Sequence, residues 1–247
     1  MARLHEPYVR DARQYVRLAE RVNGPIPRPV DFGYIWGDAL RELRRAATDV
    51  RIINLETAIT SSEDAWPGKP IHYRMHPRNV GCLKAARIDC CCLANNHLLD
   101  WRYAGLTETL RTFDRAGMAH AGTGENAAAA GSPAVLDVLG KGRVLVFSLG
   151  STTSGIPREW ASTRERPGVN LLEDLSEATA GRIGSQIREA KRPGDVTVAS
   201  FIGAPTGATI SRRSRSASRT GWSRTGSTSF TAIHPIMRRG SKSTGTA

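Results

Sequence analysis

The chain has 247 residues, 40% of them hydrophobic and 23% charged, a globular composition that suits one large α/β domain or two small ones. No apolar run reaches 18 residues, so no membrane-spanning helix is expected. The charged opening "MARLHEPYVRDARQYVRLAERV" lacks the apolar centre of an export signal, and a cytoplasmic location is expected. The net charge of +12 is uneven: residues 201–247 carry seven Arg, one Lys and no acid, while residues 1–200 carry 27 basic and 23 acidic side chains.

Residues 1–35 read as an N-terminal extension and lead-in. From 36 to 200 the pattern alternates helix and strand. "IWGDALRELRRAA" sets Trp36, Leu40, Leu43 and Ala47 at helical spacing. "VRIINLE" reads as a short buried strand that ends in polar residues. Residues 60–78 form a loop containing His72 and His76, which read as ordinary exposed loop histidines. "NVGCLKAAR" is a helix and "IDCCCLA" a second strand. Cys90, Cys91 and Cys92 lie inside that strand, with Cys82 upstream. The spacing fits neither a zinc site nor a disulfide framework, so buried reduced thiols are expected.

The second strand runs into "NNHLLD", which places Asn95, Asn96, His97 and Asp100 at one point. "AGLTETLRTFDRAG" then predicts a helix with Leu106, Leu110 and Phe113 on one face and Gly117 as its cap. "MAHAGTG" is a short strand entering a Gly turn. "GTGENAAAAG" lacks the Lys-Ser/Thr of a phosphate-binding loop and reads as a plain helix start. "PAVLDVLGKGRVLVFSLG" gives two strands about a Gly-Lys-Gly turn. "LSEATAGRIGSQIREAKR" is a helix stopped by Pro193-Gly194, and "DVTVAS" a last strand. The alternation predicts an α/β fold with a mostly parallel sheet, in which ligands collect at the carboxyl ends of strands. After Ser200 there is no Leu and no Val, and residues 201–247 read as a basic, disordered tail.

"DVRIINLETAIT" and "LKAARIDCCCLANNHLLDWRYAGLTETLRTFDRAGMAHAGTG" together resemble the poly-gamma-glutamate capsule synthesis (CapA-type) family, which is similar to the calcineurin-like metallophosphoesterases. The resemblance covers about 36–200. It implies a layered α/β metallophosphoesterase-like fold and a dinuclear site for a divalent metal (Mn, Zn or Fe). Two metals at such a site clamp a phosphate and activate a water. Carried onto this sequence, it implies Glu56 and Asn96 as metal ligands, His97 as the imidazole facing the phosphate, and Asp100 as the carboxylate that orients a neighbour. Asn54 either lines the same pocket or ends its strand. The implied partners are a phosphate-containing small molecule or a component of the polyglutamate pathway. No specific nucleic-acid partner is implied, and the oligomeric state is left open.

Two departures from the family pattern lower the activity expected of this chain. The family opens with a strand ending in Gly-Asp, whose Asp is a ligand, and nothing before residue 36 matches it. It also has a strand ending in His-Trp-Gly and a later His-Gly-His block, and neither is present as protein. Shifting the reading frame across "SFIGAPTGATI" permits Val-His-Trp-Gly-Ala-Asn-Trp-Gly-Tyr-Asp. The same shift across "SFTAIHPIMRRGSKSTG" permits a block beginning Val-His-Gly-His. The expectation is a truncated chain whose residues 201–247 are translated out of frame. An alternative is a non-enzymatic fragment whose basic tail binds nucleic acid non-specifically through counterion release. A third is a nonfunctional product with an exposed sheet edge.

Overall fold

The computed structural model describes residues 12–203 and 229–233. In chain order the helices are α1 (Ala12–Asn23), α2 (Ala39–Ala46), α3 (Gly81–Ala85), α4 (Arg102–Ala116), α5 (Ala127–Gly131) and α6 (Glu177–Ala190). The strands are β1 (Ile52–Asn54), β2 (Ala58–Ile59), β3 (Arg74–Met75), β4 (Cys90–Cys92), β5 (Ala119–Ala121) and β6 (Thr123–Gly124). They continue with β7 (Ala134–Val138), β8 (Gly142–Ser151), β9 (Gly168–Val169), β10 (Leu171–Leu172), β11 (Val196–Ile202) and β12 (Ser229–Ile233).

Two sheets carry the architecture. The first is parallel throughout, in the order β1-β4-β5, with Ile52 opposite Cys90 and Cys90 opposite Ala119. The second is mixed. In it β8 pairs β11 and β10 in parallel and β7 antiparallel, and β12 pairs β11 antiparallel.

Alternation along β4 and β8 decides how these sheets stack, because successive side chains point to opposite faces. Cys90 and Cys92 join Ala121 and Val146 in an apolar layer between the sheets. Cys91 faces the other way, into a cluster with Leu83 of α3 and Leu106 and Phe113 of α4. Leu145, Phe147 and Leu149 turn to the far side of the second sheet, where Phe201, Ile183 and Ile187 complete the packing. The result is four layers: helices, sheet, sheet, helix. This is the α/β fold expected from the alternation, with the layering that the family resemblance implies and with a second sheet that is mixed where a mostly parallel one was expected.

The cysteines are free and buried. Burial drives the thiol pKa values of Cys90 and Cys91 upward, with neighbouring cysteines adding to the effect. They pack as inert apolar groups.

The helix ends follow local chemistry. Gly117 closes α4 in the left-handed region (φ 62) and returns its N–H to Phe113 O and Asp114 O. Asn126 caps α5 by accepting from Ala129 N at 2.9 Å, which makes "GENAAAAG" the helix start that was expected. Ser176 caps α6 through Thr179 N.

Three expectations need correction. The lead-in contains helix α1, because Tyr15, Leu18 and Val22 keep helical spacing within a charged stretch. The loop 60–78 contains β3, which pairs with β2. Regular structure runs past Ser200: β11 continues through Ile202, with Phe201 and Ile202 buried, and residues 229–233 pair with it. The rest of the predicted disordered tail, 204–228 and 234–247, lies outside the described residues.

Candidate functional site

Strand β1 delivers Asn54 and, just beyond it, Glu56. Strand β4 delivers Asn95, Asn96 and His97. Because the two strands are parallel and in register (Asn54 opposite Cys92), both groups emerge at the same edge of the sheet. Two glycines bring the second sheet against this exit. A Cβ at Gly150 of β8 would stand 2.8 Å from Ala94 O, and one at Gly122 (φ +90) would stand 2.6 Å from Ser148. Ser148 Oγ in turn accepts from Ala94 N.

The amides divide the work. Asn95 is fully buried and donates from Nδ2 to Leu55 O (2.8 Å) and to Asn54 Oδ1 (3.1 Å), while its Oδ1 accepts from His97 N. It locks the β4 exit to the β1 exit. Asn54 donates to Glu56 Oε1 at 2.8 Å, so Asn54 lines the site as well as ending its strand. Asn96 is half-buried, with its Nδ2 beside Gly155 on the β8 side.

His97 and Asp100 form the centre. Asp100 is fully buried, and its Oδ2 lies 2.8 Å from His97 Nδ1. The same oxygen accepts from Tyr73 N at 2.6 Å. Lys69 Nζ stands 2.7 Å from Oδ1 as an ion pair, off the line of a hydrogen bond. His97 Nε2 points to Glu56 Oε2 at 4.0 Å, a separation that one water can bridge. The ring of Tyr73 stacks on His97 with centroids 4.1 Å apart. Asp100 is thus the side chain that the His97 Nδ1 edge faces.

Sequence reasoning assigned no role to Lys69 or Tyr73. Both lie in "WPGKPIHYR", an aperiodic loop whose Pro and Gly residues signalled only a turn. His72 is buried rather than exposed. It donates from Nε2 to Trp66 O at 2.8 Å, and its ring tilts against Trp101. His76 accepts from Arg78 N. Both histidines serve the loop's own structure.

A dinuclear centre needs several carboxylates and imidazoles converging within ligand distance. Among the described residues no group of three or more His, Cys, Asp or Glu side chains is placed to hold a metal. His97 Nδ1 and the Asp100 carboxylate are engaged with each other and with the loop. Glu56 and Asn96 remain as candidate oxygen ligands, with His97 Nε2 beside Glu56. The described residues do not fit a two-metal site.

What the fold and rim define is a four-layered α/β protein with an imidazole–carboxylate pair at its strand ends. Sequence comparison specifies it further. The chain belongs to the family described as bacterial capsule synthesis protein PGA_cap, which matches residues 4–222. It is 47% identical over 199 residues to a probable polyglutamine synthesis accessory protein of Mycobacterium tuberculosis (strain H37Rv), covering 80% of this chain and 52% of that protein. The counterpart from strain CDC 1551 matches with the same figures. An uncharacterized protein of Sinorhizobium fredii is 36% identical over 140 residues, covering 53% of this chain and 30% of its own length. The chain spans about half the length of the mycobacterial relatives it matches.

Proposed function

We propose that this chain acts as a CapA-type accessory protein in bacterial polyglutamate capsule synthesis, and that its strand-end rim is directed at a phosphate-containing group. The family supports the first half of the reading. The observation that carries the second is the pair His97 Nε2 and Glu56 Oε2, 4.0 Å apart, with Asn54 donating to Glu56 Oε1. An imidazole so placed can exchange a proton with a phosphate or leaving-group oxygen, and it can stabilise charge there. Deleting the gene tests the pathway assignment: loss of surface polyglutamate is the expected result, and unchanged polymer would overturn it.

The same reading makes this chain weak as a hydrolase. Glu56 and Asn96 would hold a divalent ion (Mn, Zn or Fe) loosely, without the partners a second ion requires. Titration calorimetry should show weak binding of at most one Mn²⁺ or Zn²⁺ per chain, together with little hydrolysis of p-nitrophenyl phosphate. Tight binding of two ions would refute the impaired-site reading. Four free, buried cysteines are compatible with a reducing cytoplasm. Among the described residues no helix is long and apolar enough to cross a membrane.

The frame-shift reading of residues 201–247 belongs to the same proposal. In that frame the histidine of the first block would come from codons 201 and 202, at the end of β11, which pairs in parallel with β8 up to Gly150. It has to accommodate the family match, which extends to residue 222. Sequencing the coding DNA across codons 190–247 decides it; a stop codon in the alternative frame ends the idea.

A further inference from the structure

We propose that Lys69 is a positioning residue of this site. Through Asp100 it fixes His97 as the Nδ1–H tautomer, so that a bare Nε2 lone pair is presented beside Glu56. The inference rests on the reading of the rim as the functional site and adds a member that neither the sequence motifs nor the family match supplies.

One buried carboxylate sets the donors and acceptors around it. Asp100 is 0% exposed and has two oxygens to satisfy. Oδ2 takes Tyr73 N at 2.6 Å and faces His97 Nδ1 at 2.8 Å. Oδ1 has no hydrogen-bond partner and only the Lys69 ammonium at 2.7 Å. His97 Nδ1 also lies 3.3 Å from Lys69 Nζ, so it has two possible roles: donor to Asp100 or acceptor from Lys69.

The shorter contact decides between them. A carboxylate oxygen only accepts, so a bare Nδ1 at 2.8 Å would set two lone pairs against each other in a buried site. Nδ1 therefore carries a hydrogen and donates to Oδ2, and in the neutral form of the ring the free lone pair is on Nε2. Lys69 Nζ stands 2.7 Å from the other oxygen, Oδ1, and so fixes the carboxylate that faces Nδ1.

Lys69 is itself held in place. Its Nζ donates to Ile71 O at 2.8 Å, and its side chain is only 13% exposed. That excludes the alternative role of a lysine reaching out to grip a substrate anion. The loop around it is anchored to the same turn: Trp66 N donates to Asp100 O, and Trp101 Nε1 donates to Tyr73 O. Loop and imidazole thus share Asp100 as their common fastening. For the chemistry, the neutral ring offers Nε2 as a proton acceptor toward a water or hydroxyl.

The test reads the ring directly and needs neither substrate nor metal. The full chain is labelled with ¹⁵N-histidine. Of its 6 histidines, His97 is assigned by the signals lost in His97→Gln. The expected result is a protonated Nδ1 with a downfield proton and an unprotonated Nε2. Lys69→Met should lose this pattern and Lys69→Arg should keep it. An Nε2–H tautomer in the parent chain, or an unchanged pattern in Lys69→Met, overturns the proposal.

If Lys69→Met does not fold, a double-mutant cycle replaces the spectrum. Adding Asp100→Asn to Lys69→Met removes the unpaired charge and should recover folding. No recovery overturns the pairing. Absence of phosphatase activity would count against the function reading and leave this result untouched, so the two failures are separable.

Discussion

The two sheets meet at one rim, but they furnish it differently. The exits of β1 and β4 bring Asn54, Glu56, Asn95, His97 and Asp100 together, tied to one another and to the loop through Lys69 and Tyr73. The exits of β8 and β11 offer Ser151, the small turn Thr152–Ser154, and the buried side chains of Phe201 and Ile202. A charged, cross-linked half stands beside a neutral one. A site that must hold a doubly charged ligand or cation draws groups from several strands. Here one sheet supplies nearly all of the chemistry, and the other supplies shape, through the close approach of Gly150 to Ala94.

The largest effect should come from breaking the charged half. Asp100→Ala removes the partner of Lys69, of Tyr73 N and of His97 Nδ1 at once, all at a position with no solvent access. Deleting one member of a buried ion pair costs about 3–5 kcal/mol. Urea denaturation of the variant should show a loss of that size, and a loss under about 1 kcal/mol would mean the cross-links are not coupled.

The charged half also shows which parts of the fold were legible in the sequence. Asn96, His97 and Asp100 lie within one short stretch, 96–100, and a local motif needs no knowledge of tertiary contacts. The β4 strand was legible as a short continuous apolar run, and the α4 helix because Leu106, Leu110 and Phe113 keep helical period on one face. Lys69 was not legible. It reaches a carboxylate 31 positions away from a loop with no periodicity, and proximity of that kind is created only by the fold. Helix α1 was missed for another reason: its apolar positions lie among arginines, and the fold leaves Leu18 and Val22 exposed. The strand end expected at Ser200 falls two residues early because the tail's composition changes there while the pairing of β11 with β8 continues to Ile202.

The two sheets should also respond to acid in different windows. His120 on β5 is held below the usual imidazole range by burial, only partly offset by Asp114, and its Nδ1 has no hydrogen-bond partner. The unfolded chain binds that proton more readily than the folded one. Stability should therefore fall as pH drops through the ordinary histidine value of about 6.5. His120→Gln should flatten the slope of unfolding free energy between about pH 7.5 and 5.5, where the ring titrates.

Asp174, between β10 and α6, also loses its contribution in acid, but in a lower pH window. Hydrogen bonds from Ser176 and Thr179 lower its pKa to about 2. Its contribution is complete above the ordinary carboxylate value and is lost as pH falls from about 4 toward 2. Asp174→Asn should leave the slope across the neutral range unchanged and remove part of the acid transition below about pH 4. A loss of stability confined to the Asp174 window, with no change near pH 6.5, would show that His120 is not the acid sensor of the first sheet.

The smallest effect should come from the neutral half of the rim. Ser151 is 4% exposed, and its Oγ accepts from Thr153 N at 3.3 Å while lying 3.0 Å from Thr153 Oγ1. It caps a three-residue turn through a single residue, Thr153, and its bond to the backbone N–H is long, so Ser151→Ala should cost about 0.5 kcal/mol, the low end for a lost cap. The backbone of Ser151 would still receive Ser154 Oγ at 2.7 Å, which keeps the turn closed. If Ser151→Ala instead destabilised the chain to the extent of Asp100→Ala, measured side by side in urea, the β8 exit would be cross-linked no less tightly than the β4 exit. The site would then have to be redrawn across both sheets.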